Sequence, residues 1–483
     1  MVLSSLEFMG LFALIFAAWQ LSAFAPRWRW AVLLCANIAF YANGATPTLW
    51  WSLTASILLS FGLGLAMERT QSHTVRKLLL AVGCVGLLGF LVAFKYLGFF
   101  TGGQFTLELA QPIGISFYTL QTLGYLIDVY RGTLPAEKHL GYYAAYVSFF
   151  ATITSGPVAR AQSILPQLRK ASTPGWKFDA EKASLGLICF LFGLFEKCAL
   201  ADYIGSRITK FIQQPGTVLD TSLLVMCFLY SLQIYFDFAG YSNMALGLGR
   251  MLGLDLQQNF RQPYFATSIK EFWARWHLSL SNWLRDYVYF PLGGSRKGTL
   301  RTYINLMLTF LVSGLWHGAG LCYLIWGALH GLYQVVGRLT KPARSRMYAA
   351  LHIPEDCLPV RLWRMAFTFV LVTFAWLFFS MGTVGNTPAD VFEVLQRIAG
   401  CIPFTPRELL DGCALLDFHP AEAIRLAGLL VIGMIPDFFG RHTSPDEWLY
   451  RAPAPVRVLL CWLFVAAAIF FNTGTESFIY FAF

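Results

Sequence analysis

Residues 311–331, LVSGLWHGAGLCYLIWGALHG, place His317 and His330 inside a run otherwise suited to lipid. Imidazole titrates near neutrality and is the commonest general base. A titratable side chain at such depth usually faces a bundle interior or a cavity and marks a site. His317 is therefore the first candidate for a buried catalytic base, with Gly314 and Gly318 beside it allowing close approach of backbone or substrate. A histidine hydrogen-bonded between helices is the structural alternative. His330 lies thirteen residues further on, about 3.6 helical turns, so the two cannot meet on one helix. His330 reads better as a supporting hydrogen-bonding residue.

A third histidine, His277, follows Arg275 and Trp276 in SIKEFWARWHLSLSNWLRDYVYFPLGG, residues 268–294. It either orients a substrate and assists His317 or is an interfacial histidine. Asp237 ends an apolar run in QIYFDFAGYSN, residues 233–243. A carboxylate there needs a partner, for which Arg250, Arg261 and Arg275 are candidates, and a scaffold ion pair is the expected role. The chain closes on ESFIYFAF, residues 476–483, directly after an apolar run. Such aromatic tails anchor at the headgroup level, yet Tyr480 on a tether is also a plausible nucleophile. Its phenol, with an ordinary pKa near 10, would need a base such as His317.

The elements that must position these groups are membrane helices. Of 483 residues, 57% are hydrophobic and 13% charged, about half the charged share of a soluble domain. Apolar runs near twenty residues recur along the chain, each long enough to cross about 30 Å of hydrocarbon. They lack the alternation of barrel strands. The expected spans are 6–24, 29–43, 48–67, 77–99, 112–130, 141–155, 183–204, 221–240, 303–317, 319–338, 362–380, 424–438 and 456–472, with 141–155 too short to cross unaided. That is one membrane domain, 1–483, of about 11–13 transmembrane or re-entrant segments, with a catalytic core over 230–335 and a C-terminal tail over 476–483.

The net charge of +10 is spread over short loops, which gives nucleic-acid binding little support and instead sets topology. Arg27 and Arg29 follow the first run, Arg69, Arg76 and Lys77 the third, and Arg131 and Lys138 the fifth, whereas the second and fourth connections carry no basic residue. The positive-inside rule then puts the N-terminus outside the cytoplasm. The first run has no basic segment before it and reads as a retained helix. Ten cysteines are scattered, none with zinc-ligand spacing, and no metal or prosthetic group is expected. Cys401 and Cys413 share the 381–423 connection, where a disulfide is an open alternative. Over 268–294, Phe272, Trp273, Trp276, Leu280, Trp283, Leu284 and Tyr287 recur at helical spacing with charges between them. That pattern predicts an amphipathic helix that floors a funnel or anchors at the membrane surface.

The blocks FKYLGFF (94–100), PIGISFYTLQTLGYLIDVYRG (112–132), GPVAR (156–160), QIYFDFAGYSNMALGLGRMLGLDLQQNF (233–260), the 268–294 segment and GLWHGAGLCYLIWGALHG (314–331) together resemble the bacterial membrane-bound O-acyltransferases (MBOAT) of the AlgI/DltB group. The alginate-type polysaccharide O-acetyltransferases are the nearer branch. The resemblance implies an all-α polytopic protein with a ring of helices around a central funnel, His317 as the buried catalytic histidine and His277 as the second functional histidine. It implies that Tyr480 accepts the acyl group from a cytoplasmic donor, most simply acetyl-CoA, and passes it to an extracytoplasmic partner. It also implies an inner-membrane location, a periplasmic or membrane-anchored SGNH-type acetyltransferase or esterase partner, and a polysaccharide synthesis complex. Asn243 stands where that group carries aspartate, which puts any role of a carboxylate there in doubt. Peptidoglycan O-acetylation and teichoic acid D-alanylation are the alternative acceptors. Outside enzymes, an acyl-donor transporter or a synthase scaffold remains the rival reading.

Overall fold

In a computed structural model, residues 2–43, 50–105, 111–217, 219–439, 451–471 and 479 are described. They are helical, with no strand among them. By internal contacts the chain divides into two compact units, Met1–Leu194 with Tyr241–Gln258, and Phe195–Gly240 with Asn259–Phe483. Six helices among the described residues are long and apolar enough to cross a membrane, and a bent pair, Pro406–Leu415 with Pro420–Ile435, supplies a seventh if counted as one span.

The first unit opens with α1 (Leu6–Leu21), α2 (Arg29–Ala42), α3 (Trp50–Arg69) and α4 (His73–Leu91). Ser5 and Ser72 cap α1 and α4 through their hydroxyls, the ordinary reason a helix starts at such a residue. Next come α5 (Ile115–Arg131), almost entirely buried, and α6 (Leu140–Val147). The expected 141–155 run is broken: α6 ends at Val147 and a separate turn covers Phe150–Ile153. Asn37 fills the break, donating to the Ala145 carbonyl at 3.0 Å and accepting the Phe150 N–H at 3.0 Å. The unit continues with α7 (Ala161–Ala171) and α8 (Ala180–Phe195), which ends at the boundary with the second unit.

In the second unit a π-turn, Glu196–Ala201, leads into α9 (Asp202–Gln213). The following helix, α10 (Asp220–Met251), runs well past the expected end near Gly240. Its residues from Tyr241 on, past the expected span 221–240, belong to the first unit. There Tyr241 and Ser242 are buried and Tyr241 is hydrogen-bonded to Thr154, so the polar groups are satisfied inside protein.

The 268–294 segment departs most from expectation. Its single amphipathic helix is three pieces: α11 (Ile269–Trp273), α12 (Leu278–Leu284) and a π-turn over Arg285–Tyr289. The break falls at His277, whose backbone is left-handed at φ 45°. There the Leu278 N–H goes to the Asn259 carbonyl at 2.9 Å, and the Arg261 N–H goes to the Arg275 carbonyl at 2.9 Å. These bonds replace the helical ladder through the bend. All seven apolar residues of the expected stripe are buried, so the segment is interior structure and its surface-anchor reading does not hold.

The hairpin of α13 (Thr299–His317) and α14 (Leu321–Ala350) carries two of the three histidines. Its helices meet backbone to backbone. A Cβ on Gly314 would lie 2.3 Å from the Tyr323 carbonyl oxygen, and one on Gly327 would lie 2.4 Å from the Phe310 carbonyl oxygen. Small residues at such crossings let membrane helices approach closely. The close approach that the glycines near His317 permit is thus made by a neighbouring helix.

The chain then forms α15 (Leu358–Thr383), α16 (Pro388–Gly400), α17 (Pro406–Leu415), α18 (Pro420–Phe439) and α19 (Ala454–Phe470). Helices α16 and α17 occupy what reads in sequence as the polar connection 381–423. Each starts with a capping box and a following proline, Thr387 with Asp390 and Thr405 with Glu408. That signature, T-P-x-D/E, is visible in the sequence. All ten cysteines are free, and Cys401 and Cys413 are not joined.

Candidate active site

His317 is the last residue of α13, and the chain leaves it through Gly318 in extended backbone. Its ring is 2% exposed as a residue and lies in an aromatic box. Trp316, Trp326 and Phe379 meet it nearly edge-on, with centroids at 4.9, 5.0 and 5.2 Å. The His277 ring lies 6.3 Å away, centroid to centroid. Two histidines forty positions apart thus lie side by side in the buried interior of the second unit.

The bend at residue 277 is what turns that ring inward. A non-glycine residue at positive φ costs of order 1–3 kcal/mol and persists only where its surroundings impose it. Here the imposing group is Asn259. Its Oδ1 accepts the Ser279 hydroxyl at 2.6 Å and faces His277 Nδ1 at 3.4 Å, the geometry of a donating Nδ1–H. Phe238 packs edge-on against the same ring at 4.6 Å. Burial pushes the His277 imidazole down to about 3, so the ring is neutral at neutral pH. A neutral ring that donates through Nδ1 presents Nε2 as its base nitrogen.

His330 is seated differently. Trp273 Nε1 donates to His330 Nδ1 at 3.1 Å, and Trp326, Phe272 and Phe310 surround the ring. In this position it ties α11 to α14 through an indole. Replacing His330 by alanine leaves that buried indole N–H without an acceptor, which costs about 1–3 kcal/mol. The expected outcome is a lower melting temperature of the detergent-solubilised protein, with acyl transfer per folded molecule largely kept. Loss of transfer at unchanged stability would place His330 among the reacting groups instead.

The expected partner of Asp237 needs correction. None of the three candidate arginines takes it; Lys197 Nζ lies 2.6 Å from Asp237 Oδ1 and also 2.6 Å from Asp202 Oδ1. The lysine side chain is 3% exposed, and the carboxylate side chains are 2% and 9%. The second oxygen of Asp237 accepts the Ile479 backbone N–H at 2.9 Å. Lys197 escaped the sequence reading although it sits within the apolar run 183–204, where a charge demands a partner.

Arg275 is engaged locally, with Nη2 2.5 Å from Glu271 Oε1 and Nη1 3.2 Å from the Gln262 carbonyl. Burial raises the Glu271 carboxyl, but the Thr267 N–H, the Thr267 hydroxyl and Arg275 outweigh it and hold the group below the usual range. Arg275 therefore braces the turn that precedes His277. Asn243 belongs to the first unit, where its backbone carbonyl accepts the Cys189 thiol at 3.3 Å. Tyr480 lies outside the described residues. Besides Lys197, sequence reasoning missed Asn259 and two walls of the aromatic box, Trp326 and Phe379; aromatic residues in apolar runs carry no local mark of what they pack against.

The sequence pattern of the family described as "MBOAT, membrane-bound O-acyltransferase family" matches residues 135–383. Over the whole of both chains, the protein is 35% identical to AlgI of Pseudomonas putida, named a probable alginate O-acetylase. It is 33% identical to the Helicobacter pylori protein named peptidoglycan O-acetyltransferase, over 77% of this chain and 74% of that one. It is 30% identical to the Bacillus subtilis protein named teichoic acid D-alanyltransferase, over 47% of this chain and 58% of that one.

Proposed function

The chain belongs to the membrane-bound O-acyltransferase family, and from that premise we propose that it moves acetyl groups from cytoplasmic acetyl-CoA across the membrane for O-acetylation of an extracytoplasmic polysaccharide. That it is a multi-pass O-acyltransferase follows from the family. The donor, the crossing and the polymer are the proposal. The observation that carries it is the side-by-side placing of His317 and His277, both buried.

His317 takes the proton of an incoming hydroxyl, that of Tyr480. The phenolate oxygen attacks the thioester carbonyl, forming the new C–O bond. The tetrahedral intermediate collapses with cleavage of the C–S bond, and the departing thiolate takes the proton from the His317 imidazolium, leaving CoA as the thiol and the acetyl group on Tyr480. His277, neutral and fixed by Asn259, orients the acyl group beside His317. An SGNH-type partner outside the cytoplasm then transfers the acetyl group to a polymer hydroxyl within a polysaccharide synthesis complex, in the inner membrane of a bacterium. The alginate-named relatives, one matched over its full length, favour an alginate-like acceptor. The peptidoglycan-named relative, matched over 74% of its length, keeps peptidoglycan as the second reading.

Tyr480→Phe tests the carrier step, because it keeps the aromatic ring and removes the nucleophile. Acetyl content of the exported polymer is expected to fall to background at unchanged protein level. Unchanged acetylation would make Tyr480 an anchor only. Offering purified protein acetyl-CoA with an acceptor separates the enzyme from a transporter or scaffold, since only the enzyme releases free CoA thiol.

A further inference from the structure

Trp326 packs on His317 at 5.0 Å between ring centroids, on His330 at 5.1 Å and on Phe379 at 5.3 Å. It is fully buried, and its indole N–H has no hydrogen-bond partner among the described residues. A buried donor left in that state costs the fold stability and calls for a reason. Trp273, in the same cluster, differs: its indole has an acceptor, His330 Nδ1 at 3.1 Å. With Nδ1 so occupied, the neutral His330 ring carries its proton on Nε2 and offers Trp326 no lone pair. A second such donor lies on the other helix of the hairpin. Ser313 is 1% exposed, and its hydroxyl also has no partner among the described residues. Helical hydroxyls commonly turn back to a carbonyl of the preceding turn, as Thr302 does to Gly298 at 2.8 Å and Thr309 to Asn305 at 2.7 Å on the same helix. Phe310, Ser313 and His317 fall at i, i+3 and i+7 on one face of α13. Phe310 packs on His330 and His317 on Trp326, so Ser313 sits on the face turned to this cluster.

We propose that the Trp326 indole N–H and the Ser313 hydroxyl are the donors that hold the carbonyl oxygen of the thioester beside His317. The inference rests on the acyl-transfer reading, but not on which hydroxyl attacks. As the attacking oxygen bonds to the carbonyl carbon, His317 takes its proton and the C=O electron pair moves onto the carbonyl oxygen. That oxygen, now an anion, accepts both hydrogen bonds. When the C–S bond breaks the pair returns, and the thiolate leaves with the proton from His317. Donors fixed beforehand and satisfied only as charge develops stabilise such an intermediate, which accounts for two buried donors without acceptors. The measurement is release of CoA thiol from acetyl-CoA by isolated membranes holding the full-length protein and supplied with acceptor polymer, above the background of His317→Ala membranes. Replacing Trp326 by its benzothienyl analogue, with sulfur in place of the N–H, keeps the shape of the ring. There kcat is expected to fall by roughly 10²–10³-fold with KM for acetyl-CoA little changed. Ser313→Ala should also lower kcat at unchanged KM. In both proteins the melting temperature should stay at or above the parent value, because each change removes an unsatisfied buried group. Parent kcat in the benzothienyl protein would overturn the inference and leave the enzyme in place. A lost kcat accompanied by a lower melting temperature would overturn it too, since Trp326 would then hold the fold and not the oxyanion. Parent kcat in Ser313→Ala alone would strike Ser313 from the pair. A parent protein that releases no CoA thiol above background would instead remove the acetyl-CoA reading, and this inference with it.

Discussion

His317→Ala is expected to abolish acyl transfer while the protein still inserts in the membrane at normal level. General-base catalysis contributes roughly 10²–10⁴-fold, and the rings packed against His317 are Trp316, Trp326, Phe379 and the second histidine, His277. His277 cannot take over, because Asn259 and the bend at residue 277 hold its ring in a fixed direction. The fold should survive. The interface of α13 with α14 is made by Gly314 and Gly327 backbone contacts, and the alanine empties part of a box whose other walls remain. The measurement is acetyl content of the exported polymer against the amount of protein in the membrane. Normal acetylation at normal protein level would sink the assignment of His317.

Lys197→Met is expected to have the largest effect on stability. It strips the shared counter-ion from Asp202 and Asp237, both buried and each 2.6 Å from the ammonium they lose. Removing one member of a buried ion pair costs about 3–5 kcal/mol, a large part of the roughly 5–15 kcal/mol that holds a domain folded. Little folded protein should be recovered, with a sharply lower melting temperature in detergent. Neutralising all three positions together, Lys197→Met with Asp202→Asn and Asp237→Asn, removes the uncompensated charges and should restore much of the yield. A Lys197→Met protein as stable as the parent would show that the two carboxylates do not depend on this lysine.

The site residues differ in how well the sequence exposed them. His317 and Asp237 were conspicuous because an ionisable group in an apolar run needs a reason. The same argument applies to Lys197, but three arginines lie nearer to Asp237 in sequence than this partner forty positions away. The 268–294 segment departs from its periodic pattern for a different reason. Helical spacing of its tryptophans is real, yet the backbone around His277 takes its hydrogen bonds from residues 259–261, and a periodic pattern carries no sign of such competition. Helices α16 and α17, by contrast, carry a local sequence signature, the capping box that opens each of them.

What the sequence determined by itself is local or statistical: an all-α membrane protein, because the length and apolarity of a run decide whether it is stable in lipid, and a family, because its motifs recur in order. It also singled out His317. What only the tertiary structure decided are contacts across helices: His277 beside His317, Trp273 donating to His330, and Asp237 shared between Lys197 and the Ile479 backbone. Those pairings depend on how helices cross and rotate against one another. Crossing is set by close backbone contacts such as Gly314 on Tyr323 and by the turn at His277, which belong to no single segment of the chain.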